Sequence, residues 1–172
     1  MNQSSVLPAA WLTLRALLVV NWIYGALIFA LLLISFLAEE WTWRAIGVGS
    51  IAGHGAIAAG MRSIMVIGIV SVPLRVVFLR KLLQIVNSVR AGEPFTVENA
   101  GRLKAIGWAL LALELLHICV VAIASAVSTK EVPMNISSNF SLTGWLAILL
   151  LFVLAQVFLA GARMRADLEG TV

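Results

Sequence analysis

Two ionisable residues lie three positions apart within a strongly apolar stretch of the sequence. On a helix, Glu114 and His117 would share one face. A carboxylate and an imidazole so arranged can form a buried polar pair, move protons or bind a polar ligand. A di-iron centre in a helical bundle needs a second Glu-x-x-His pair, which this sequence lacks. We therefore expect no metal and no cofactor.

A third ionisable residue, Arg75, lies in another apolar stretch. Charges in a hydrocarbon environment are costly and usually mark paired or functional groups. If their helices are neighbours, Arg75 and Glu114 can form an ion pair; alternatively, Arg75 extends toward the lipid headgroups. Arg75, Glu114 and His117 are the candidate intramembrane polar residues. No nucleophile–base pair, paired acidic motif or phosphate-binding loop is visible, so we expect no catalytic residues and no enzyme.

A second set of polar residues lies in the segment 80–105, between two apolar stretches. Apolar residues recur at helical spacing as far as Arg90. Gly92 then predicts a helix end and Pro94 prevents continuation. Thr96 can cap a new helix by accepting a hydrogen bond from an amide two or three residues later. The pattern predicts a helical hairpin with its turn at residues 92–95.

This hairpin has two interpretations. It is either a docking surface for a cytoplasmic partner or anionic lipid headgroups, or a well-capped connector whose basic residues set the orientation of the chain. An aromatic residue at the turn, Phe95, is either packed onto the new helix or an exposed anchor. The residues expected to bind a partner are Arg90, Glu93, Phe95, Glu98, Arg102, Asp167 and Glu169.

The composition places all of these residues in or beside a membrane. Hydrophobic residues make up 62% of the 172 positions and charged residues 12%, against roughly 45–50% and 25% in soluble domains. The mean hydropathy is +1.04. These values exclude a soluble enzyme domain, a disordered regulator and a nucleic-acid-binding module. The single cysteine, Cys119, excludes an intramolecular disulfide.

Four apolar stretches are long enough to cross a membrane. They predict an all-α integral membrane four-helix bundle, forming one domain over residues 1–172. The spans expected are about 16–38, 63–79, 106–124 and 142–160, with a cytoplasmic hairpin at 80–105 and a C-terminal tail at 161–172.

A segment rich in glycine and alanine, 45–61, lies between the first two spans. It is interfacial, re-entrant or part of a long second helix. Its small residues recur at four-residue spacing, as in Ala52, Ala56 and Gly60, which permits close helix contact. We place this segment on the outer side because nine of the twelve lysines and arginines then lie inside. Both termini are accordingly expected in the cytoplasm.

The hairpin sequence resembles a known family. The residues that carry the resemblance are Arg80-Lys81-Leu82-Leu83, then Gly92-Glu93-Pro94-Phe95-Thr96-Val97-Glu98-Asn99, then Arg102-Leu103-Lys104-Ala105-Ile106-Gly107. They are similar to the inner-loop signature G-x-P-F-T-x-E-N-x-x-R-L-x-x-I of the bacterial domain-of-unknown-function family 2975, which has about four spans. The ending Asp167-Leu168-Glu169-Gly170-Thr171-Val172 is similar to, but not identical with, the family's acidic Asp-Leu-Thr-Ile-like tail. Members are often encoded beside a small helix-turn-helix regulator of the Cro repressor type, so the resemblance implies a regulatory pairing.

These observations favour a non-catalytic regulator or sensor in the bacterial inner (cytoplasmic) membrane, crossing it several times. Its hairpin and tail would bind a soluble partner, such as a small helix-turn-helix transcription factor. The alternative is a small oligomeric transport or channel subunit that uses Arg75, Glu114 and His117. The expected partners are the lipid bilayer, a cytoplasmic protein and further copies of the chain, without direct nucleic-acid binding.

Overall fold

The computed structural model describes residues 3–45, 55–128 and 141–169, and within these ranges the chain is almost entirely helical and contains no strand. The helices are α1 (Gln3–Leu37), α2 (Glu39–Ala45), α3 (Gly55–Arg90), α4 (Val97–Val127) and α5 (Leu142–Glu169).

Four of these helices are long and apolar enough to cross a membrane, which confirms the predicted fold class. The candidate spans are Leu7–Leu37, Gly55–Arg90, Val97–Val127 and Leu142–Asp167. Each exceeds the roughly 20 residues that a hydrocarbon core requires. Helix α3, with 36 residues, is about 54 Å long at 1.5 Å per residue, so it extends well beyond the core. Large apolar side chains point outward, as lipid contact requires; Leu27 and Leu150 are each 65% exposed.

The described residues include part of the segment 45–61. Residues 55–61 form the first turns of α3, so this portion belongs to a long second helix rather than to a separate interfacial or re-entrant element. Residue 45 ends α2, and residues 46–54 lie outside the described residues.

The chain divides into two compact units. The first comprises Met1–Val20, Leu74–Leu113 and Ser141–Val172; the second comprises Asn21–Pro73 and Glu114–Phe140. Three of the long helices, α1, α3 and α4, therefore contribute residues to both units.

Close helix contacts hold the second unit together. The buried Asn21 on α1 donates a hydrogen bond to the carbonyl oxygen of Val72 on α3, at 3.3 Å. Near this bond, a Cβ atom added to Gly25 would lie 2.9 Å from a methyl group of Val72. One such atom on Gly68 would lie 3.2 Å from Ile28. Glycines thus permit α1 and α3 to approach each other closely at two levels.

Small residues also bring α3 close to α4. A Cβ atom added to Gly60 would lie 2.6 Å from one methyl group of Val127 and 3.0 Å from the other. On the same helix, Ala58 and Met65 form a buried cluster against partly buried side chains of α1. Gly60 therefore permits close contact between α3 and α4, whereas Ala56 is exposed and Ala52 lies outside the described residues.

Candidate functional site

The turn that ends α3 is built from backbone hydrogen bonds. Gly92 has a φ of +84°, a conformation that glycine adopts without steric cost. Its amide donates to the carbonyl of Val89 at 3.1 Å, and the Glu93 amide donates to the carbonyl of Ser88 at 3.0 Å. This pair of bonds is a Schellman motif and satisfies carbonyls at the helix end. The helix end predicted at Gly92 is confirmed.

Thr96 caps the start of α4. Its hydroxyl oxygen accepts a hydrogen bond from the backbone amide of Asn99, three residues later, at 3.2 Å. Glu98 lies in the first turn, where a negative charge stabilises the positive end of the helix dipole. The predicted cap is therefore confirmed, and the hairpin between α3 and α4 has the local structure expected of it.

The side chain of Asn99 joins the two helices to the turn and is completely buried. Its amide nitrogen donates to the Ser88 hydroxyl on α3 and, at 2.8 Å, to the Pro94 carbonyl in the turn. Its amide oxygen accepts from the Arg102 guanidinium at 2.7 Å. One side chain thus supplies two short donated bonds and one accepted bond inside the hairpin, besides a longer contact of 3.5 Å from its amide nitrogen to the Glu93 carbonyl.

Arg102 extends this network to α3. The same guanidinium nitrogen that bonds Asn99 also donates to the carbonyl oxygen of Gln84, at 3.3 Å. Arg102 is half-buried. A side chain predicted to bind a partner therefore stabilises the hairpin itself.

Phe95 packs against α5. Its ring centroid lies 5.1 Å from that of Phe158, with the two rings tilted by 47°. A Cβ atom added to Gly161 would lie 3.3 Å from the Phe95 ring, so the glycine gives the ring room. Nevertheless, Phe95 remains 48% exposed. The ring therefore packs on α5 rather than on the new helix α4, and about half of its surface stays exposed.

An open cleft of about 200 Å³ lies beside this ring, between the turn and the C-terminal part of α5. Glu93 and Arg165 are exposed on its lining, so both signs of charge flank an aromatic wall. The floor on α5 is formed by small side chains. The lining residues are Glu93, Phe95, Thr96, Val97, Ala162, Arg165 and Ala166.

A family model described as "Protein of unknown function (DUF2975)" matches residues 16–172, which include the whole hairpin and the cleft. The chain belongs to this family. No curated protein and no solved structure matches it. In this DUF2975 chain, the residues that carried the family resemblance include those that build the turn: Gly92, Thr96, Asn99 and Arg102.

Four other candidate partner-binding residues of this DUF2975 chain, Arg90, Glu98, Arg102 and Asp167, are not among the residues that line the cleft. Arg90 is the exposed last residue of α3, and Glu98 is exposed in the first turn of α4. Asp167 is exposed on α5. Glu169 is the last residue of α5, and its side chain lies outside the description. Among the predicted residues whose side chains the structure describes, Glu93 and Phe95 are the two that line the cleft.

The predicted intramembrane residues are distributed over both units. Arg75 is half-buried on α3 in the first unit. Glu114 is half-buried and His117 is exposed, both on α4 in the second unit. The pairing of Arg75 with Glu114 stays a prediction. Among the described residues, no three histidine, cysteine or acidic side chains form a group that could hold a metal ion.

Sequence reasoning missed a second polar cluster, centred on Arg62 near the start of α3. Its guanidinium donates to the Ser35 carbonyl at 2.6 Å and lies 3.2 Å from the Glu39 carboxylate. The same group lies over the Phe36 ring, 4.3 Å from the centroid. Arg62 thus connects α3 to the junction of α1 and α2. The sequence offered only an arginine in an apolar stretch as a signal.

Proposed function

We propose that this DUF2975 chain is a non-catalytic membrane regulator or sensor whose hairpin end binds a soluble protein partner. The observation that carries the proposal is the open cleft beside Phe95. It lies beyond the apolar part of α3, between a turn and the last turns of α5. A soluble protein can reach a surface in that position.

The hairpin is well suited to recognition because its turn is ordered before any partner binds. The Schellman motif, the Thr96 cap and the three side-chain bonds of Asn99 fix the backbone on both sides of Phe95. A preorganised surface avoids much of the entropic cost of ordering a loop on binding. The half-exposed Phe95 ring is therefore available as an anchor in a fixed position.

The size and lining of the cleft favour a protein side chain over a small-molecule substrate. Small-molecule sites usually have volumes of about 300–1,000 Å³, whereas this cleft measures about 200 Å³ and is open. Aromatic anchors surrounded by charged side chains are typical of protein interfaces. Glu93 and Arg165 would add charge complementarity to the rim.

The partner we propose is a cytoplasmic protein such as a small helix-turn-helix regulator. The family resemblance supports this choice, because members are often encoded beside such a regulator. The bacterial inner membrane is the corresponding location, with the hairpin in the cytoplasm. The excess of lysine and arginine at the hairpin end supports that orientation.

A pull-down from detergent tests the proposal. The wild-type chain should retain a cytoplasmic protein. Phe95→Ala should bind this protein about tenfold more weakly, because truncating an aromatic anchor costs about 1–2 kcal/mol of binding free energy. A chain truncated after Arg165, which lacks the acidic Asp167 and Glu169, should also retain less of it.

The matched control is Phe29→Ala. Phe29 lies on α1 and is 52% exposed, so the variant loses the same ring from an apolar span and should retain the partner. Circular dichroism confirms that all variants keep their helical content. Absence of any retained protein in the wild type, or equal retention by Phe95→Ala, contradicts the proposal.

The alternative function, a small transport or channel subunit, is less well supported. It uses Glu114 and His117, which share one face of α4 within an apolar span. His117 is exposed, as is much of the apolar surface of this helix. The cleft at the hairpin therefore carries the stronger functional argument.

A further inference from the structure

The contacts inside the hairpin fix the register of α3 against α4. Asn99 on α4 bonds Ser88 on α3, and Arg102, three residues further along α4, bonds Gln84, four residues further back along α3. The helices are therefore antiparallel, and one step forward on α4 corresponds to about one step back on α3.

When this register is extended along both helices, away from the turn, three cationic residues lie at the same height along the helix axes. Arg80 lies level with residue 106, Lys81 with residue 105, and Lys104 with residue 82. The three positions differ by about two residues along the axis, or about 3 Å at 1.5 Å per residue. Two neighbouring helices of the first unit thus present Arg80, Lys81 and Lys104 as a cationic level, the name used for these three residues below.

The cationic level coincides with the end of the apolar parts of both helices. Leu79, just before Arg80, is 8% exposed and Ile106, just after Lys104, is 2% exposed. Both belong to the apolar stretches that are long enough to span a membrane. The cationic level therefore lies where hydrocarbon gives way to phosphate groups.

The charge of this level is not neutralised within the described part of the chain. Arg80 and Lys104 are exposed and Lys81 is half-buried. None of the three makes a hydrogen bond or ion pair with a described residue. No aspartate or glutamate occurs at positions 74–92 or 99–113. Negatively charged groups around the two helices would neutralise these side chains.

We propose that the cationic level binds the headgroups of anionic phospholipids. Exposed apolar side chains about one turn toward the membrane favour lipids over free phosphate: Val77, near Arg80 and Lys81 on α3, is 41% exposed, and Trp108, near Lys104 on α4, is 57% exposed. An acyl chain can lie along either apolar surface while its phosphate contacts the cations of that helix, and tryptophan is enriched at this depth of the bilayer. The site is distinct from the cleft at Phe95 and does not depend on the proposed protein partner.

The experiment measures lipid selectivity of the full chain in phosphatidylcholine bilayers by electron paramagnetic resonance of spin-labelled lipids. Spin-labelled phosphatidylglycerol should associate more strongly than spin-labelled phosphatidylcholine. Arg80→Gln and Lys104→Gln should each lower this preference by up to about fivefold, which corresponds to about 1 kcal/mol per surface cation. The double variant should lose most of it.

Two further variants keep the result interpretable. Arg90→Gln removes an exposed cation from the same helix, ten residues or about 15 Å further from the membrane, and should leave the preference unchanged. Arg80→Lys keeps the charge and should retain it. Unchanged selectivity in the double variant, or an equal loss in Arg90→Gln, overturns the proposal.

Discussion

At the scale of single residues, Asn99 explains why the hairpin has one defined structure. A carboxamide carries both donors and an acceptor, and here both ends are used in a fully buried position. An aspartate would lose the two donated bonds, and a leucine would lose all three. The chemical requirement at this position is therefore specific to an amide of this length.

Replacing Asn99 should loosen the turn without unfolding the helices. In Asn99→Ala, the Pro94 carbonyl and the Arg102 guanidinium lose a buried partner, at a cost of about 2 kcal/mol. Hydrogen exchange of the Gly92 and Glu93 amides should accelerate about thirtyfold, since each 1.4 kcal/mol corresponds to a factor of ten.

The matched control for this prediction is Asn87→Ala. Asn87 is an exposed asparagine on α3, and surface substitutions usually change stability by less than about 0.5 kcal/mol. Exchange at the turn should therefore remain as in the wild type. Unchanged exchange in Asn99→Ala would show that the network does not hold the turn.

Signals that are local in sequence predicted part of this site, whereas contacts between residues distant in sequence were not predicted. Gly92 and Thr96 were predicted because helix ends depend on residues within one turn in sequence. The partners of Arg62 lie 27 and 23 positions away, at Ser35 and Glu39. No local pattern encodes such a contact, because it depends on how the helices pack. The packing of Phe95 on Phe158 was missed for the same reason.

At the scale of elements, α3 shows what apolar patterning does and does not determine. The apolar runs predicted four spanning helices, and four helices of the described part of the chain are long and apolar enough to cross a membrane. The second span was predicted at residues 63–79 because a single crossing within the apolar stretch 45–79, which Arg62 interrupts, keeps the basic residues of the hairpin on the inner side. In the structure the helix continues through Arg62 from Gly55, since the guanidinium finds hydrogen-bond acceptors on α1. A satisfied charge need not end an apolar helix.

The contact between α3 and α4 at Gly60 should be sensitive to a single methyl group. Gly60→Ala would place a Cβ atom 2.6 Å from Val127, and overpacking of this kind costs about 1–3 kcal/mol. The melting temperature in detergent should fall accordingly. Adding Val127→Ala should recover part of the loss, because it removes the two methyl groups that clash.

Gly101→Ala is the control for this contact. Gly101 lies in α4, and a Cβ atom there would meet nothing within 4 Å. Alanine should then stabilise the helix by up to about 1 kcal/mol through its higher helix propensity. A double variant no more stable than Gly60→Ala would show that Val127 is not the source of the clash.

At the scale of the whole molecule, the number of candidate spans and the distribution of charge together predict an orientation. If all four candidate helices cross the membrane, the chain returns to the side on which it began. The hairpin between α3 and α4 is then expected on the same side as both ends of this sequence. Nine of the twelve lysines and arginines would belong to that side, and an excess of positive charge in short loops is typical of the cytoplasmic side.

Reporter fusions should therefore show the hairpin end in the cytoplasm. Green fluorescent protein fused after Val172 should fluoresce, because it folds in the cytoplasm. Alkaline phosphatase fused after Ser128, which follows the end of α4, should be active, because its disulfides form outside the cytoplasm. The opposite pattern would place the cleft at Phe95 outside the cell, where no cytoplasmic partner can reach it. That outcome would contradict both the orientation and the proposed function, while leaving the lipid site at the cationic level to be judged by its own measurement.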